Sequence, residues 1–480
     1  MTTENPNLTK DTTSSATKKP ERAGDFSLDV ERRGIFDAVK GYFFRLRTGE
    51  PGALPSVLGL VVLVLIFNQV SNRFLTKNNI GNLPGQGAYI AIIALGLVFV
   101  LLLGEIDLSA GTLGGMCAGV AAQAVFSHNL RHAIPGLLFW ALVGAMALAL
   151  LLGIWVKAYS ASLVILVGLI IVLTNATSHL IPALIAAVAL GVAVGIFNGF
   201  LVAKIGIPSF IVTLALFLAF QGVLLFALNS QPIGVNQYSF WNKLAHDNMS
   251  VAMSWVFTIV VVTGYLAYTL IKSITAQRHG LAADTLSLVL LRGGIIAAVG
   301  IVLTALANQN RNTNTFKIIE GIPWAASVPI TLMIICTIAL SKTGWGRHLY
   351  ATGGNIEASR RAGIDVDHIK VTAFALCSGF GALGGIFLAS NTGGAQLDLG
   401  SGNILLFAVA AAVIGGTSLF GGRGRPRDAI VGALVIVIIP NGLGLPIPAL
   451  PPQNEEIITG AVLLVAAGVD ALTRRRSRIR

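Results

Sequence analysis

Charge is what this sequence has least of. Only 11% of its 480 residues are Asp, Glu, Lys or Arg, against 54% hydrophobic, whereas a soluble domain carries about 25% charged residues; a water-soluble globule is excluded. Cysteine is scarcer still. Cys117, Cys336 and Cys377 each stand alone in an apolar stretch, with neither disulfide nor metal spacing, and read as small hydrophobic side chains. The seven histidines are scattered through loops and span ends, so no nucleophile–base–acid grouping is legible. Lys272-Ser273 and Lys342-Thr343 lack the glycines of a phosphate-cradling loop. No enzyme activity, catalytic residue, metal site or cofactor is therefore expected. The first 25 residues hold none of the apolar run that a secretory signal needs.

What is present is long apolar runs, such as Leu137 to Val156 and Ile404 to Ile414, which reach or approach the roughly 20 residues that cross a bilayer. The strict alternation of barrel strands is missing. The expected fold is all-α, a polytopic transmembrane helical bundle of 12 to 14 spans. Candidate spans begin near Pro55, Pro84, Leu108, Ile134, Ala161, His179, Pro208, Ser254, Leu286, Pro323, His368, Gly402, Asp428 and Glu456. The second and third are separated only by Glu105, Ile106 and Asp107, and the fifth is short; either can be a broken or re-entrant helix.

The formal charge of +12 sits in short clusters between apolar runs, which is a topology signal rather than a nucleic-acid footprint. With both termini cytoplasmic, roughly 27 of the 33 Lys and Arg residues fall inside. The division is then residues 1–50 as a disordered cytoplasmic tail, 51–472 as the membrane domain with a cytoplasmic loop at 344–370, and 473–480 as a basic cytoplasmic tail. Loops poor in positive charge, Asn229 to Ser250, Asn308 to Gly321 and Pro446 to Gln453, face outward. Gly191, Gly195 and Gly199 share one helix face and signal close helix packing. Gly104 to Gly115 and Gly415 to Pro426 faintly resemble each other, as degenerate repeats in transporters do.

Two features bear on mechanism. Glu105 and Asp107 stand between apolar runs, where a charge costs at least about 2.5–3.5 kcal/mol at the bilayer centre. They either border a solute pathway at a broken helix, with Ser109 and Asn198 as further pathway candidates, or cap helix ends at the interface. The polar loop Gly346 to Lys370 contains a stretch, Asn355 to Ala362, that can form a short helix stopped by Gly363. Such a helix can dock a soluble partner, or be a solvated loop.

Four blocks resemble the membrane subunits of ATP-binding-cassette importers for ribose, xylose, galactose and related sugars. They are Glu105 through Gly111, Gly195-Ile196-Phe197-Asn198-Gly199 with Ile207 through Leu214, Gly346-Arg347-His348 through Gly363-Ile364, and Ile414 through Leu419 with Gly421-Gly422-Arg423-Gly424. Together they cover roughly residues 80 to 472. Glu357-Ala358-Ser359 followed by Gly363 is similar to the loop by which such permeases contact their ATPases, with Ser359 in place of a second Ala. The resemblance assigns ATPase coupling to Asn355, Glu357, Ala358, Ser359, Arg360 and Gly363. In the first block Glu105 stands where the family usually has Gly. The stretch Lys272 to Gly344, with an additional span or two, looks like the xylose-type permeases, which makes xylose the leading substrate. The resemblance implies cytoplasmic ATP-binding subunits, an extracytoplasmic sugar-binding protein and a second permease copy as partners, in a bacterial plasma membrane. The rival reading is an ion-coupled secondary transporter or facilitator that works alone.

Overall fold

In the computed structural model the chain is described over residues 54–279, 284–312 and 318–445, and at 454, 456–461 and 464. The 1–50 and 473–480 tails lie outside those residues. Ten helices among the described residues are long and apolar enough to cross a membrane, and three shorter apolar ones accompany them. The all-α polytopic bundle is thus borne out, and thirteen of the fourteen expected spans have a helix. The fourteenth, near Glu456, falls mostly outside the described residues.

In chain order the helices are α1 (Leu54–Val70), α2 (Lys77–Leu102), α3 (Ala110–Ser127), α4 (Gly136–Trp155), α5 (Tyr159–Leu173), α6 (Leu180–Phe200), α7 (Ser209–Ala227), the short α8 (Ser239–His246), α9 (Val251–Arg278) and α10 (Leu286–Ala307). There follow α11 (Trp324–Lys342), two short helices α12 (Gly344–Gly354) and α13 (Ile356–Arg361), then α14 (Val366–Thr392), α15 (Ile404–Gly415) and α16 (Pro426–Gly444). Helix α6 runs on into a π-helical turn, Leu201–Ile205, ended by Gly206 at φ 83°. The only strands among the described residues, β1 (Ile233–Gly234) and β2 (Gly394–Ala395), pair antiparallel.

Helix α14 is the axis of the bundle and packs on α6, α2 and α3. Its fit to α6 follows from the glycine face read in the sequence: a Cβ at Gly195 or Gly199 would lie 2.6 Å from the Cα of Ala375 or Val371. Backbones this close pack without help from hydrophobicity, which gives no preference for a neighbouring helix over a lipid tail. Helix α3 meets α14 the same way, Gly114 facing Gly381 and Gly385. By contrast α9 and α10 pair with each other and lie at the periphery, with 11% and 17% of their most apolar stretches buried.

The chain is not helical throughout the membrane. Between α2 and α3 residues 103–109 are irregular. Between β2 and α15 residues 396–403 are irregular too, and bring Leu399 and Gly400 against Gly115 and Gly111 of α3. Helix α15 has 12 residues, about 18 Å at 1.5 Å per residue, well short of a roughly 30 Å hydrocarbon core. The span expected from Gly402 is therefore a half-span. Non-helical backbone is tolerated at such depth because protein, not lipid, surrounds it.

The polar loop expected at Asn229 to Ser250 is also structured. It carries α8, whose Trp241 is buried and donates its indole N–H to the Ile386 carbonyl (2.9 Å).

Candidate functional site

The four sequence blocks, far apart in the chain, converge at one end of the bundle. The amide of Gly422 donates to the carbonyl of Leu102 (2.8 Å), the Tyr350 hydroxyl to the carbonyl of Gly424 (2.7 Å), and the Ile106 amide to Ser209 Oγ (3.3 Å). Gly353 is wedged between Leu102 and Gly422, and Gly104, at φ 76°, lies against Phe420 and Gly421. This end also carries Lys157, Lys204, Lys342, Arg347, Arg360 and Arg425.

The break after α2 separates the two carboxylates read together in the sequence. Glu105 Oε1 accepts from Lys370 Nζ at 2.6 Å, in a pair whose side chains are 16% and 14% exposed. Asp107 lies deeper and is fully buried, as are Ser109 and Asn198. Asp107 Oδ1 accepts from the amide (2.9 Å) and hydroxyl (2.7 Å) of Ser109, and Asn198 Nδ2 donates to the same hydroxyl at 3.5 Å. Cys377 and Ser378 of α14 flank the carboxylate. Among the described residues Asp107 Oδ2, Asn198 Oδ1 and Ser378 Oγ have no hydrogen-bond partner. Ser109 stands at the N-cap of α3 without a side-chain cap bond, and Asp107, two residues before it, accepts the Ser109 amide at the entrance of the helix. Three of the pathway candidates thus come together and Glu105 stays apart, tied to Lys370 in the second turn of α14.

Helix α7 also reaches the break from Thr213, whose hydroxyl is shared between the Ser209 carbonyl of its own helix (2.8 Å) and, more weakly, the Ile106 carbonyl (3.4 Å).

Helix α13 is the short helix read from the sequence. Asn355 caps it, its Oδ1 accepting from the Ala358 amide (2.9 Å), as an N-cap side chain should. Gly363, at φ 81°, ends it and donates its amide to the Arg360 carbonyl (3.0 Å); that left-handed conformation is the one in which glycine stops helices. Every residue of α13 except Ser359 is exposed, and among the described residues the ion pair of Glu357 is with Arg361, one turn on, at 3.2 Å. The base of the knob is tied to its neighbours by partly exposed ion pairs. Asp367, in the first turn of α14, takes Lys204 at 2.7 Å and Arg360 at 3.6 Å, and Ser359 is buried beneath. Lys370, Lys204 and Asp367 are site residues that sequence reasoning did not single out, since each looked like an ordinary charged residue at a span end.

The chain's residues 158–467 match the family described as branched-chain amino acid transport system / permease component. The chain belongs to this family. It is 28% identical over 441 residues to the xylose transport system permease protein of Escherichia coli (strain K12), covering 92% of this chain and 96% of that one. The xylose transport system permease protein of Haemophilus influenzae is 28% identical over 434 residues, 90% of this chain and 100% of the relative. The ribose import permease protein of Escherichia coli (strain K12) is 28% identical over 419 residues, 86% and 92% of the two chains. No solved structure matches. The resemblance to sugar permeases drawn from the four blocks is borne out. The permease is a multi-pass plasma-membrane protein, and its role in a transport system is conduction rather than chemistry.

Proposed function

We propose that this permease is the membrane subunit of an ATP-binding-cassette importer that carries a monosaccharide into the cytoplasm, with xylose as the first candidate. The relatives' names, xylose and ribose, support the substrate class. The observation that carries the coupling is α13, an exposed helix whose base is tied to its neighbours by ion pairs. A displacement applied to Glu357, Ala358 or Arg360 passes through Asp367 to α6 and α14, and through Lys370 to Glu105 at the α2–α3 break.

The basic end of the bundle faces the cytoplasm by the excess of Lys and Arg there. Two ATP-binding subunits grip α13 in two copies of the permease, and a sugar-binding protein delivers solute at the opposite face. Closure of the ATPases on nucleotide then biases the permease between two openings, energy arriving from outside this chain. Asp107, Ser109 and Asn198, sealed against α14, take part as the hinge of that switch, their unpaired polar atoms finding partners when α3 moves on α14.

The test is reconstitution of the permease with its ATPase and binding protein in proteoliposomes, with ATP hydrolysis and uptake scored for xylose, ribose and galactose. Gly363→Pro removes both the N–H that donates to the Arg360 carbonyl and the positive φ; it is expected to abolish sugar-stimulated hydrolysis and uptake while membrane levels stay normal. Glu357→Lys is expected to reduce both several-fold. Unchanged uptake in both variants would remove the coupling assignment. Accumulation driven by an ion gradient through the chain alone would establish the secondary-transporter reading instead.

A further inference from the structure

At the end of the bundle opposite α13 the structure holds a polar cavity of about 320 Å³. Its described walls are the first turns of α2, the end of α8 with Asn248, the residues Arg311, Ile319 and Pro323, and the C-terminal turn of α14. Asn78, Asn82, Gln86, His246, Asn248, Arg311 and Asn391 line it, and among the described lining residues there is no Asp or Glu. That volume is at the small end of the roughly 300–1,000 Å³ range of ligand pockets, room for one monosaccharide.

Two properties of the lining select the ligand. A carboxamide offers both a donor pair and an acceptor, which is the complement of a hydroxyl that donates and accepts at once. The amides are held in place by the protein: Asn391 Nδ2 donates to the Gly85 carbonyl (3.0 Å), Asn82 Nδ2 to Asn78 Oδ1 (3.3 Å), and Gln86 Oε1 accepts from Asn441 (3.2 Å). The second property is Arg311. Its side chain is buried, 7% exposed, and donates from one terminal nitrogen to the Gly321 carbonyl (2.8 Å). The guanidinium lies flat on Gly81, where a Cβ would come within 2.6 Å of it. Among the described residues Arg311 makes no ion pair, and its Nε has no acceptor. A buried charge is costly unless its donors are met; Nε itself is sealed in the protein, and it is the part of Arg311 that lines the cavity that can meet an acceptor brought by a ligand. Among the described lining residues the amides outnumber the one guanidinium and the one imidazole, and no carboxylate is present to attract a cation; such a lining favours an uncharged polyol over a polyanion.

We infer that this cavity is a binding site for one neutral monosaccharide, held by Asn78, Asn82, Gln86, Asn248 and Asn391 and anchored by Arg311. The inference rests on the sugar-permease reading for its substrate class and for which face is outward. It adds a site at which the permease itself holds the solute, on the side from which solute arrives. Asn391 and Lys370 lie near opposite ends of the single helix α14, so a sugar at the cavity and a partner at α13 act on the same rigid rod.

The test uses the full chain in membrane vesicles, with Asn82→Cys labelled by a membrane-impermeant maleimide. Native Cys117, Cys336 and Cys377 are buried, so the unsubstituted chain sets the background. D-xylose, D-ribose or D-galactose is expected to slow labelling several-fold, and adding Asn391→Ala or Arg311→Lys to remove that protection. Saturation-transfer NMR with the same sugars on the unsubstituted chain covers the case in which the cysteine itself spoils the site. Absence of both protection and saturation transfer for all three sugars would overturn the site, as would stronger protection by gluconate or phosphate. Uptake by the assembled transporter, measured in parallel, separates the two readings. Uptake without sugar binding here discards the site and keeps the permease assignment. Binding here without uptake keeps the site and discards that assignment.

Discussion

Helices α3 and α9 are both transmembrane segments, yet 89% of the most apolar stretch of α3 is buried and 11% of that of α9. The difference runs opposite to greasiness. Helix α3 carries Gly111, Gly114, Gly115, Gly119, Thr112 and Gln123, whereas α9 presents Val256, Ile259 and Val260 outward. In water the apolar helix would be the buried one; in lipid, tails are as apolar as Leu, so burial goes to the surfaces that fit closely or must satisfy polar groups. Between these two helices, then, small and polar residues mark the buried one and exposed aliphatic side chains the one at the rim.

The sharpest way to break this comparison is to put a large apolar side chain in the interior. Gly195→Leu places carbon against the carbonyl of Phe374 and the Cα of Ala375, backbone atoms that cannot swing aside. Overpacking costs typically about 1–3 kcal/mol, and a backbone obstacle puts this substitution at or above the top of that range. Loss of the monodisperse peak after mild heating in detergent is expected. Val260→Leu, 62% exposed in the original, is expected to leave the peak unchanged. A Gly195→Leu protein as stable as its parent would refute the close α6–α14 fit.

A smaller effect probes the polar interior. Removing one member of a buried ion pair costs about 3–5 kcal/mol, and the Glu105–Lys370 pair, which keeps some exposure, belongs below that. Glu105→Gln is expected to cost up to about 3 kcal/mol and to lower sugar-stimulated ATP hydrolysis, since it cuts the tie between the α2–α3 break and the start of α14. The double variant Glu105→Lys with Lys370→Glu should recover more than either single change. Identical losses in the single and double variants would show that the pair transmits nothing.

These two sites also mark how far the sequence could be read. The α6 glycine face was legible because its four-residue period is local, and α13 because Asn355 and Gly363 bracket it with a cap and a stop. The Glu105–Lys370 tie was not, because 265 residues separate the partners and each alone resembles an interfacial charge. Residues 396–403 were hidden for a different reason. Gln396, Asp398 and Ser401 have loop composition, and only the glycines of α3 that receive Leu399 and Gly400 give that stretch a place inside the bundle. Helix α8 was hidden in a polar loop because eight residues are too few for a convincing period, and the cavity because its walls come from four separated segments. Local chemistry showed in the sequence; juxtaposition did not.

The smallest expected effect lies at the rim, where α9 and α10 share one interhelical hydrogen bond, Thr258 Oγ1 to Thr304 Oγ1 at 2.5 Å. Thr304 is 1% exposed and Thr258 7%, so this is a dry contact inside an otherwise lipid-facing pair. Thr258→Val keeps the shape and removes the hydroxyl. The Thr304 hydroxyl left behind can turn to the carbonyl one helical turn before it, which limits the penalty. Hydrogen bonds between membrane helices average about 0.6 kcal/mol and reach about 1.7 at most, so a shift of that lower size is expected in the detergent unfolding midpoint, with uptake unchanged. A loss several times larger would mean that α9 and α10 are held as tightly as α6 and α14, and the division into a fitted interior and a loose apolar rim would not describe this protein.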